Sequence, residues 1–527
     1  MLALLLFGLL FLVQLSSSSR ILVTSVDITP SQSLLMSRVA DILAEGGHDV
    51  TLLHCELLPS LRKFSPKRAK EHYFQLIDDP DVLNVFGEMM DDVIFEESPG
   101  GLLGVPLTNF AFLWEQFAKG CEKLVTSQTD MDALKSQNFD IMLFYMMDPC
   151  MAGVAHILGI KSTAMFSVFF MIEPLPWYLG VPAPASYIPT TAVAETDKMN
   201  FLARTENLIK VAAHYAFDFY HSNCMTTYFR KHYGAEFPHI DDLMKEVHLT
   251  FILSDPFFDF PRPTLHNIIY VGGLTMESYQ ERSLDIEWQK VVNNSLPQGI
   301  VLLSFGSMVD TSKMPIDIKT SILNTFSKFP QHTFICRMEG ELPNQPKNVK
   351  VVDWMPQRDL LASPKVKAFI THGGYNSLLE ATYVGVPVLA VPFFYDQIAN
   401  SKRIQRLDVG IVLAKTLLKS EQSVFDALDS LLSNQTYMDN AKRLSKMMQN
   451  QPFKSHDLFL GWIKFLAEFK TLDSLKPESR NMGLVEYFMV DVLLFLFSVL
   501  LISIWVSLKC LKFTCSLVCG RKKQKLE

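Results

Sequence analysis

The sequence predicts an α/β protein with two doubly wound domains on parallel sheets, followed by one transmembrane helix. Short apolar strands alternate with helices both at the start and beyond the middle of the chain, as in parallel sheets covered on both faces. The 527 residues, 49% of them hydrophobic, suffice for two cores. The apolar run Phe488–Leu508 is long enough to cross a bilayer.

The first domain is predicted to cover residues 20–255, after an apolar leader. Met1–Ser19 combines an apolar core with small serines and is predicted to be a signal peptide. Arg20–Val26 then reads as a strand, Ser31–Glu45 as an amphipathic helix and Asp49–His54 as the next strand. The absence of GxGxxG between the first strand and helix argues against a dinucleotide-binding oxidoreductase.

The second domain is predicted to cover residues 299–456, and it begins with the strand sequence IVLLSFGS. Residues 256–298, which start with a Pro- and Phe-rich stretch, are predicted to be a linker. Residues 457–486 are expected to hold a helix that crosses back to the first domain and a juxtamembrane segment. Residues 487–508 are predicted to be the transmembrane helix and residues 509–527 a basic cytosolic tail, following the positive-inside rule.

These features predict a single-pass type I membrane protein with luminal domains. Lys523 and Lys525 resemble a dilysine retrieval signal of the endoplasmic reticulum, although simple anchoring charge is an alternative. Sequons at Asn293 and Asn434 are candidate glycosylation sites.

The net charge of −7 excludes nucleic acid as an expected partner. The scattered cysteines before the membrane segment lack CxxC spacing, and we expect neither a zinc site nor a disulfide framework.

The segment Val351–Asn400 is the most informative about function. The turn Gly373–Gly374 joins a predicted strand, Lys367–Thr371, to a predicted helix, Tyr375–Val384. Ligands of parallel α/β sheets bind beyond the carboxyl ends of the strands, and a helix N-terminus offers N–H groups to a diphosphate. The run therefore predicts a phosphate-binding turn.

Side chains around this turn suit the other parts of a nucleotide sugar. Trp354 can stack on a base, and Gln357 can hydrogen-bond to the polar edge of that base. Glu380 can accept hydrogen bonds from ribose hydroxyls, and Asp396 and Gln397 can hold sugar hydroxyls. Each residue alone fits an ordinary core or helix-capping role. Their concentration in one segment favours binding.

The segment closely resembles the signature of the family 1 inverting UDP-glycosyltransferases, the membrane-bound UDP-glucuronosyltransferase-like enzymes of animals. The matching residues are Trp354, Pro356, Gln357, Thr371–Gly374, Asn376, Ser377, Glu380, Ala381, Gly385–Pro387, Asp396 and Gln397. Three further segments look most like the third animal subfamily: Leu34–Val39, Val271–Leu274 and Gly306–Val309. The resemblance implies the GT-B architecture, in which two Rossmann-like domains face each other across a cleft.

The resemblance also implies donor-binding roles for individual residues. Trp354 and Gln357 are expected to bind uracil, Glu380 the ribose, and Asp396 and Gln397 the donor sugar. The diphosphate is expected to contact Ser307, His372, Gly374, Asn376 and Ser377. The UDP-sugar is then a co-substrate; no cofactor is expected, and no metal, since the sequence has no DxD-type motif.

The chain departs from the family at the general base, a His after the first strand that a later Asp orients. Asp148 matches that Asp, but Gln32 stands at the His position, and a neutral amide cannot take a proton. Three hypotheses follow. The acceptor needs little deprotonation, as amines, acidic phenols or thiols do; another group such as Asp148 or Asp27 serves; or the chain is a catalytically weak UDP-sugar-binding homologue that modulates partner transferases.

The first domain is rich in aromatic and Met residues, which suggests a pocket for small lipophilic acceptors. For each residue taken singly, ordinary core is the favoured interpretation, whereas a pocket is favoured for Phe169–Trp177, which lie in a Pro-rich loop. The candidates are Phe110, Phe112, Trp114, Phe117, Phe166, Phe169, Phe170, Met171, Trp177 and Tyr178. Phe393–Tyr395 offers no cation for a glucuronate carboxylate, which favours a neutral hexose unless Arg262 supplies one. Glucuronate, glucose and related sugars all remain possible, as do homo- and hetero-oligomers.

Overall fold

The computed structural model describes residues 18–27, 30–57, 64–95, 107–168, 170–191, 193–277, 284–307, 309–340 and 342–523. Most of the predicted signal peptide, the end of the basic tail with Lys525, and Phe169 lie outside these residues. The chain divides into two compact units, and the division falls between Leu475 and Lys476 in the sequence.

The larger unit contains two parallel sheets, which confirms the predicted α/β class. The seven strands of the first sheet are β1 Arg20–Asp27, β2 Asp49–Glu56, β3 Lys70–Gln75, β4 Ile141–Tyr145, β5 Ser162–Ser167, β6 Leu249–Ile252 and β7 Ile268–Tyr270. Their order is β3-β2-β1-β4-β5-β6-β7. The second sheet has the order β10-β9-β8-β11-β12-β13, with β8 Ile300–Ser304, β9 Thr333–Arg337, β10 Val349–Val352, β11 Val366–Thr371, β12 Val388–Ala390 and β13 Gly410–Val412.

Helices connect the strands and cover both sheets. In the first domain they span Pro30–Glu45, Pro80–Phe95, Leu107–Thr126, Gln128–Ser136, Cys150–Leu158, Leu175–Leu179, Phe201–Tyr233 and Ile240–Lys245. Short helices follow at Leu274–Glu277 and Ile286–Asn293. In the second domain they span Ile316–Ser327, Gln357–Leu361, Tyr375–Val384, Asp396–Arg406, Glu421–Ser433 and Gln435–Gln449. The inner strands are almost entirely buried, as expected for parallel sheets with two covered faces, whereas the edge strands β3 and β10 are partly exposed.

Residues 256–298, predicted to be a linker, contain the strand β7. Ile268–Tyr270 pairs in parallel with β6 and forms the edge of the first sheet, so that sheet extends beyond Asp255. A strand of three residues between Pro-rich and polar stretches carries too little periodicity to be recognised from sequence.

Two helices tie the domains of the larger unit together. Helix Ser455–Phe469 returns to the first sheet, where the Phe459 ring lies 6.1 Å from Phe166 and 4.8 Å from Phe251 between centroids. Helix Pro80–Phe95 of the first domain places Ile94 in the apolar core of the second. Lys415 donates to the carbonyl oxygen of Val93 at 2.7 Å and secures that contact.

The smaller unit contains one long apolar helix, Val490–Lys523. Its segment Val490–Ser516 contains an 18-residue stretch with a mean hydropathy of 2.4 and is long and apolar enough to cross a membrane. The helix runs past the predicted end at residue 508, since no Gly or Pro follows until Gly520.

Candidate active site

A cleft of about 720 Å³ lies beyond the carboxyl ends of the second sheet and faces helix Pro30–Glu45 of the first domain. Six of the predicted donor-binding residues line it: Ser307, Trp354, Gln357, Asn376, Ser377 and Glu380. The first domain contributes Pro30, Ser31, Leu34 and Arg38, among others. The cleft thus brings together residues from both domains, at the edge where ligands of parallel sheets are expected.

Trp354 presents a flat ring to this cleft. Its residue is 55% exposed, an unusual state for a tryptophan outside a binding surface. The guanidinium of Arg337 lies 5.2 Å from the ring centroid. Arg337 is itself held by the carbonyl oxygens of Gly306 at 2.7 Å and Asp353 at 3.1 Å. The exposed ring is therefore fixed and available for stacking.

A hydrogen-bonded cluster forms the next part of the cleft. Nε2 of Gln357 donates to Oε2 of Glu380 at 2.8 Å and lies 3.2 Å from Oγ of Ser377. Burial raises the pKa of Glu380, and the hydrogen bond from Gln357 opposes that rise. Arg358 and Arg38 also favour the ionised form. A carboxylate held this way can accept from paired hydroxyls such as those of a ribose.

The His372 ring is enclosed between two glycines. A Cβ atom on Gly306 would lie 2.5 Å from Cε1 of His372, and one on Gly374 would lie 2.3 Å from its Nε2. Only residues without a side chain allow the two backbones this close to the ring. Burial lowers the pKa of His372 to about 4, and the nearby charge of Arg337 adds to this effect. His372 is therefore a neutral imidazole at physiological pH.

Helix Tyr375–Val384 begins beside this ring, at Gly374. Gly374 has no side chain to cap the helix, and helices leave their first N–H groups without intrahelical partners. Asn376 and Ser377 add side-chain polar groups in the first turn and face the cleft. This end of the helix can bind an anion such as a diphosphate.

Asp396 and Gln397 shape the loop between β12 and helix Asp396–Arg406. Oε1 of Gln397 accepts from the backbone N–H of Phe393 at 2.9 Å and of Phe394 at 3.3 Å. Asn400 donates to Asp396 at 2.7 Å. Burial raises the pKa of Asp396 to about 6, and the Asn400 hydrogen bond opposes this rise. These two residues do not line the main cleft, although their helix starts beside its phosphate-binding turn.

Gln32 and Asp148 follow neighbouring strands at the centre of the first sheet. Gln32 is buried in the first turn of helix Pro30–Glu45, after β1, and Asp148 is buried after β4. Burial raises the pKa of Asp148 to about 7, opposed by a hydrogen bond from the backbone N–H of Cys150. The raised pKa allows Asp148 to change its protonation state near neutral pH.

A second, small cavity of about 40 Å³ lies in the first domain and reaches Tyr395 of the second. Trp114 and Tyr178, both predicted acceptor residues, line it. Phe166 is a fully buried core residue, which is the interpretation favoured for it from sequence. Phe170 is also fully buried, which corrects the prediction that it lines a pocket. Phe166 belongs to the inner strand β5, and Phe170 packs on a buried guanidinium at the domain boundary. Phe169 and the side chain of Phe110 lie outside the described part of the structure.

Sequence reasoning missed two features next to these cavities. Cys121 and Cys150 form a disulfide, which joins the helix that carries Trp114 to the one that follows Asp148. Their separation of 29 residues gave no motif to recognise. Arg337 was also missed, although a charged residue at the end of an apolar strand was a usable signal.

Comparison with known proteins gives a consistent result along the whole chain. A family model described as "UDP-glucoronosyl and UDP-glucosyl transferase" matches residues 19–525. UDP-glucuronosyltransferase 3A2 of Homo sapiens is 30% identical over 522 residues, which cover 97% of each chain. UDP-glucuronosyltransferase 3A1 of Xenopus laevis is 28% identical over 505 residues, covering 94% of this chain and 93% of that protein.

Solved structures share the fold at low sequence identity. A UDP-glucosyltransferase from Polygonum tinctorium, crystallised with 3,4-dichloroaniline, aligns with a TM-score of 0.58 at 13% identity over 86% of this chain and all of that one. The spinosyn forosaminyltransferase SpnP aligns with a TM-score of 0.54 at 17% identity, again over 86% of this chain. These likenesses establish the GT-B architecture.

Proposed function

Because this chain belongs to the UDP-glucoronosyl and UDP-glucosyl transferase family and is a UDP-sugar glycosyltransferase, we propose that it transfers a neutral hexose, with inversion, to small lipophilic acceptors. One observation supports the proposal. A single cleft contains an exposed ring for stacking (Trp354), the hydrogen-bonded pair Gln357–Glu380 and the uncapped N-terminus of helix Tyr375–Val384, which together suit a UDP-sugar. The family relatives show that the reaction class is enzymatic transfer from a UDP-sugar.

In the proposed complex, uracil stacks on Trp354 and hydrogen-bonds to Gln357, and the ribose hydroxyls donate to Glu380. The diphosphate lies at the N-terminus of helix Tyr375–Val384, where Asn376, Ser377 and Ser307 surround it. His372 is neutral, so it can hydrogen-bond to the diphosphate without adding a charge. Hydrogen-bond donors that already surround the diphosphate stabilise the negative charge that develops as UDP leaves. We therefore expect no metal or cofactor.

The sugar is proposed to lie near Asp396 and Gln397. A carboxylate and an amide suit hydroxyl groups, and Arg262, the considered partner for a glucuronate carboxylate, is engaged elsewhere. It donates to the carbonyl oxygen of Met171 at 2.5 Å and lies 3.8 Å from Asp259. This engagement favours glucose or a related neutral sugar over glucuronate.

The reaction is direct displacement at the anomeric carbon. The acceptor's oxygen or nitrogen bonds to that carbon while the bond to the diphosphate oxygen breaks, and UDP leaves with the electron pair. Gln32 cannot accept the acceptor's proton. Asp148, whose pKa lies near 7, is proposed to act beside the reacting groups as the counterpart of the family's orienting Asp.

We further propose that helix Val490–Lys523 anchors the enzyme in the endoplasmic reticulum membrane as a type I protein with luminal domains. Both sequon asparagines, Asn293 and Asn434, are exposed, as glycosylation requires. Digestion of microsomes with an endoglycosidase tests this orientation. A mobility shift that Asn293→Gln and Asn434→Gln together abolish is expected, and no shift would contradict luminal domains with occupied sequons.

The activity is tested by UDP release from the full-length protein in detergent. UDP-glucose, UDP-glucuronate, UDP-N-acetylglucosamine and UDP-xylose are each offered with a panel of phenols and amines. Acceptor-dependent release with a neutral hexose donor is expected. Binding of UDP with no release from any donor would instead favour a catalytically weak homologue that modulates partner transferases.

A further inference from the structure

The small cavity beside Tyr395 contains buried polar atoms that the fold does not satisfy. Glu173 is 9% exposed and His221 is 4% exposed, and both line the cavity. Oε2 of Glu173 and Nε2 of His221 have no hydrogen-bond partner among the described residues. Buried polar atoms are nearly always paired, so two orphan atoms in one cavity indicate a ligand that supplies the missing partners.

The loop that carries Glu173 is held at the domain boundary. The Phe170 ring lies 3.5 Å from the guanidinium carbon of Arg403, a residue of the second domain. Arg262 donates to the carbonyl oxygen of Met171, two residues before Glu173. These contacts fix the loop against the helix that begins at Asp396, so the position of Glu173 depends on both domains being in place.

Tyr395 links this cavity to the proposed sugar position. Its side chain lines the cavity, and it directly precedes Asp396 in the chain. Burial raises the pKa of the Tyr395 hydroxyl, and the charges of Asp396 and Glu173 add to this rise. Glu173 and Tyr395 therefore line one cavity, and Tyr395 is adjacent in the chain to the residue proposed to hold the sugar.

The other carboxylates near the reaction are less suited to accept a proton. Both oxygens of Asp27 are already engaged: Oδ1 accepts from Ser25 at 2.6 Å, and Oδ2 lies 2.7 Å from Nδ1 of His54. Asp148 does not line the cavity, although its neighbours Met147 and Pro149 do. Glu173 combines an unpaired oxygen with a place in the cavity wall.

We propose that this cavity receives the proton-bearing head group of the acceptor, a hydroxyl or an amine, and that Glu173 takes its proton during transfer. The inference rests on the proposed function. It assigns to Glu173 the role of general base, which Gln32 cannot fill. The acceptor's O–H or N–H bond breaks as its proton moves to Oε2 of Glu173. The bond to the anomeric carbon forms, and UDP leaves.

The groups that face Glu173 are compatible with this role. The titratable residues of the cavity are Tyr178, His214, Asp218, His221 and Tyr395. Burial lowers the pKa of His221 to about 4, so its imidazole is neutral and can pair with an acceptor without competing as a cation. Burial raises the pKa of Asp218 to about 7, and its carboxylate already accepts from Tyr178.

The test compares Glu173→Gln with the wild type, using the full-length enzyme and the donor that supports wild-type turnover. An amide of the same shape cannot accept a proton, so kcat should fall about 10²-fold or more for aliphatic alcohols. The loss should shrink for acceptors as acidic as 4-nitrophenol, and affinity for UDP should not change. Glu115→Gln is the matched control, because Glu115 follows Trp114 but is exposed and paired with Lys119.

Each alternative outcome is decisive. Equal kcat in Glu173→Gln and wild type, across all acceptors, overturns the role of Glu173 and leaves the proposed function intact. A uniform loss that includes acidic phenols, or weakened UDP binding, assigns Glu173 a structural role. A loss of kcat in Asp148→Asn that is large for alcohols and small for acidic phenols, with no such loss in Glu173→Gln, makes Asp148 the base. No turnover by the wild type with any donor overturns both proposals.

Discussion

Arg403 donates two hydrogen bonds to a single oxygen of Asp259, from Nη2 at 2.7 Å and from Nε at 3.0 Å. The pair joins helix Asp396–Arg406 of the second domain to the loop between β6 and β7 of the first sheet, and both side chains are almost fully buried. The guanidinium carbon lies 3.5 Å from the Phe170 ring centroid and 4.4 Å from that of Phe260. This pair fixes the helix that carries the proposed sugar-binding residues.

Replacing Arg403 with Met should destabilise the protein strongly. The substitution leaves the Asp259 carboxylate buried without its partner, which typically costs about 3–5 kcal/mol of unfolding free energy. Urea denaturation followed by tryptophan fluorescence measures the change. Arg406→Met is the control, because the Arg406–Asp197 pair is partly exposed and should contribute at most about 1 kcal/mol. Equal losses in the two variants would contradict the prediction.

Gly306→Ala should impair binding of UDP. The new Cβ would meet the His372 ring at 2.5 Å, and the backbone φ of +75° also disfavours a side chain. The ring must then move away from the phosphate-binding turn, and we expect at least about a tenfold weaker Kd, or about 1.4 kcal/mol, by calorimetry. Gly159→Ala separates the two effects, since Gly159 has φ +71° but no heavy atom within 4 Å of the position that its new Cβ would take. It should lower stability and leave UDP affinity unchanged.

Gln357→Ala should also weaken UDP binding. The variant removes the hydrogen bond that orients Glu380 and the proposed contact to the base. Loss of a hydrogen bond to a charged group costs about 1.5–3 kcal/mol, which corresponds to a Kd raised more than tenfold. Gln345→Ala serves as the control, because Gln345 hydrogen-bonds to the carbonyl oxygen of Val349 and does not line the cleft. An unchanged Kd for Gln357→Ala would remove this residue from the donor site.

Asp148 should make the stability of the protein depend on pH. Its pKa is about 7 in the folded state and near 3.8 in the unfolded chain, because burial disfavours the carboxylate. The folded state therefore binds more protons between about pH 4 and pH 7, and this contribution to stability is lost as the pH rises through that window. Asp148→Asn cannot ionise, so its Tm relative to the wild type should rise from pH 4 to pH 8. A constant difference in Tm would contradict the raised pKa.

Sequence patterns could predict a candidate donor site because its residues lie close together in the chain. The strand–turn–helix unit at Thr371–Val384 places His372, Gly374, Asn376 and Ser377 at one helix start by local geometry alone. The same patterns predicted both sheets, since buried parallel strands read as apolar runs. They did not recognise β7, whose three residues pair only because β6 is beside them.

The sequence by itself determined the fold class, the family and the residues available to bind a UDP-sugar, because these depend on local periodicity and on motifs within short segments. Only the tertiary structure decided which side chains meet across long separations. Asp259 and Arg403 are 144 residues apart, yet share a buried ion pair. Glu173 and Tyr395 line one cavity for the same reason, because the packing of the two domains brings together groups that no local pattern relates.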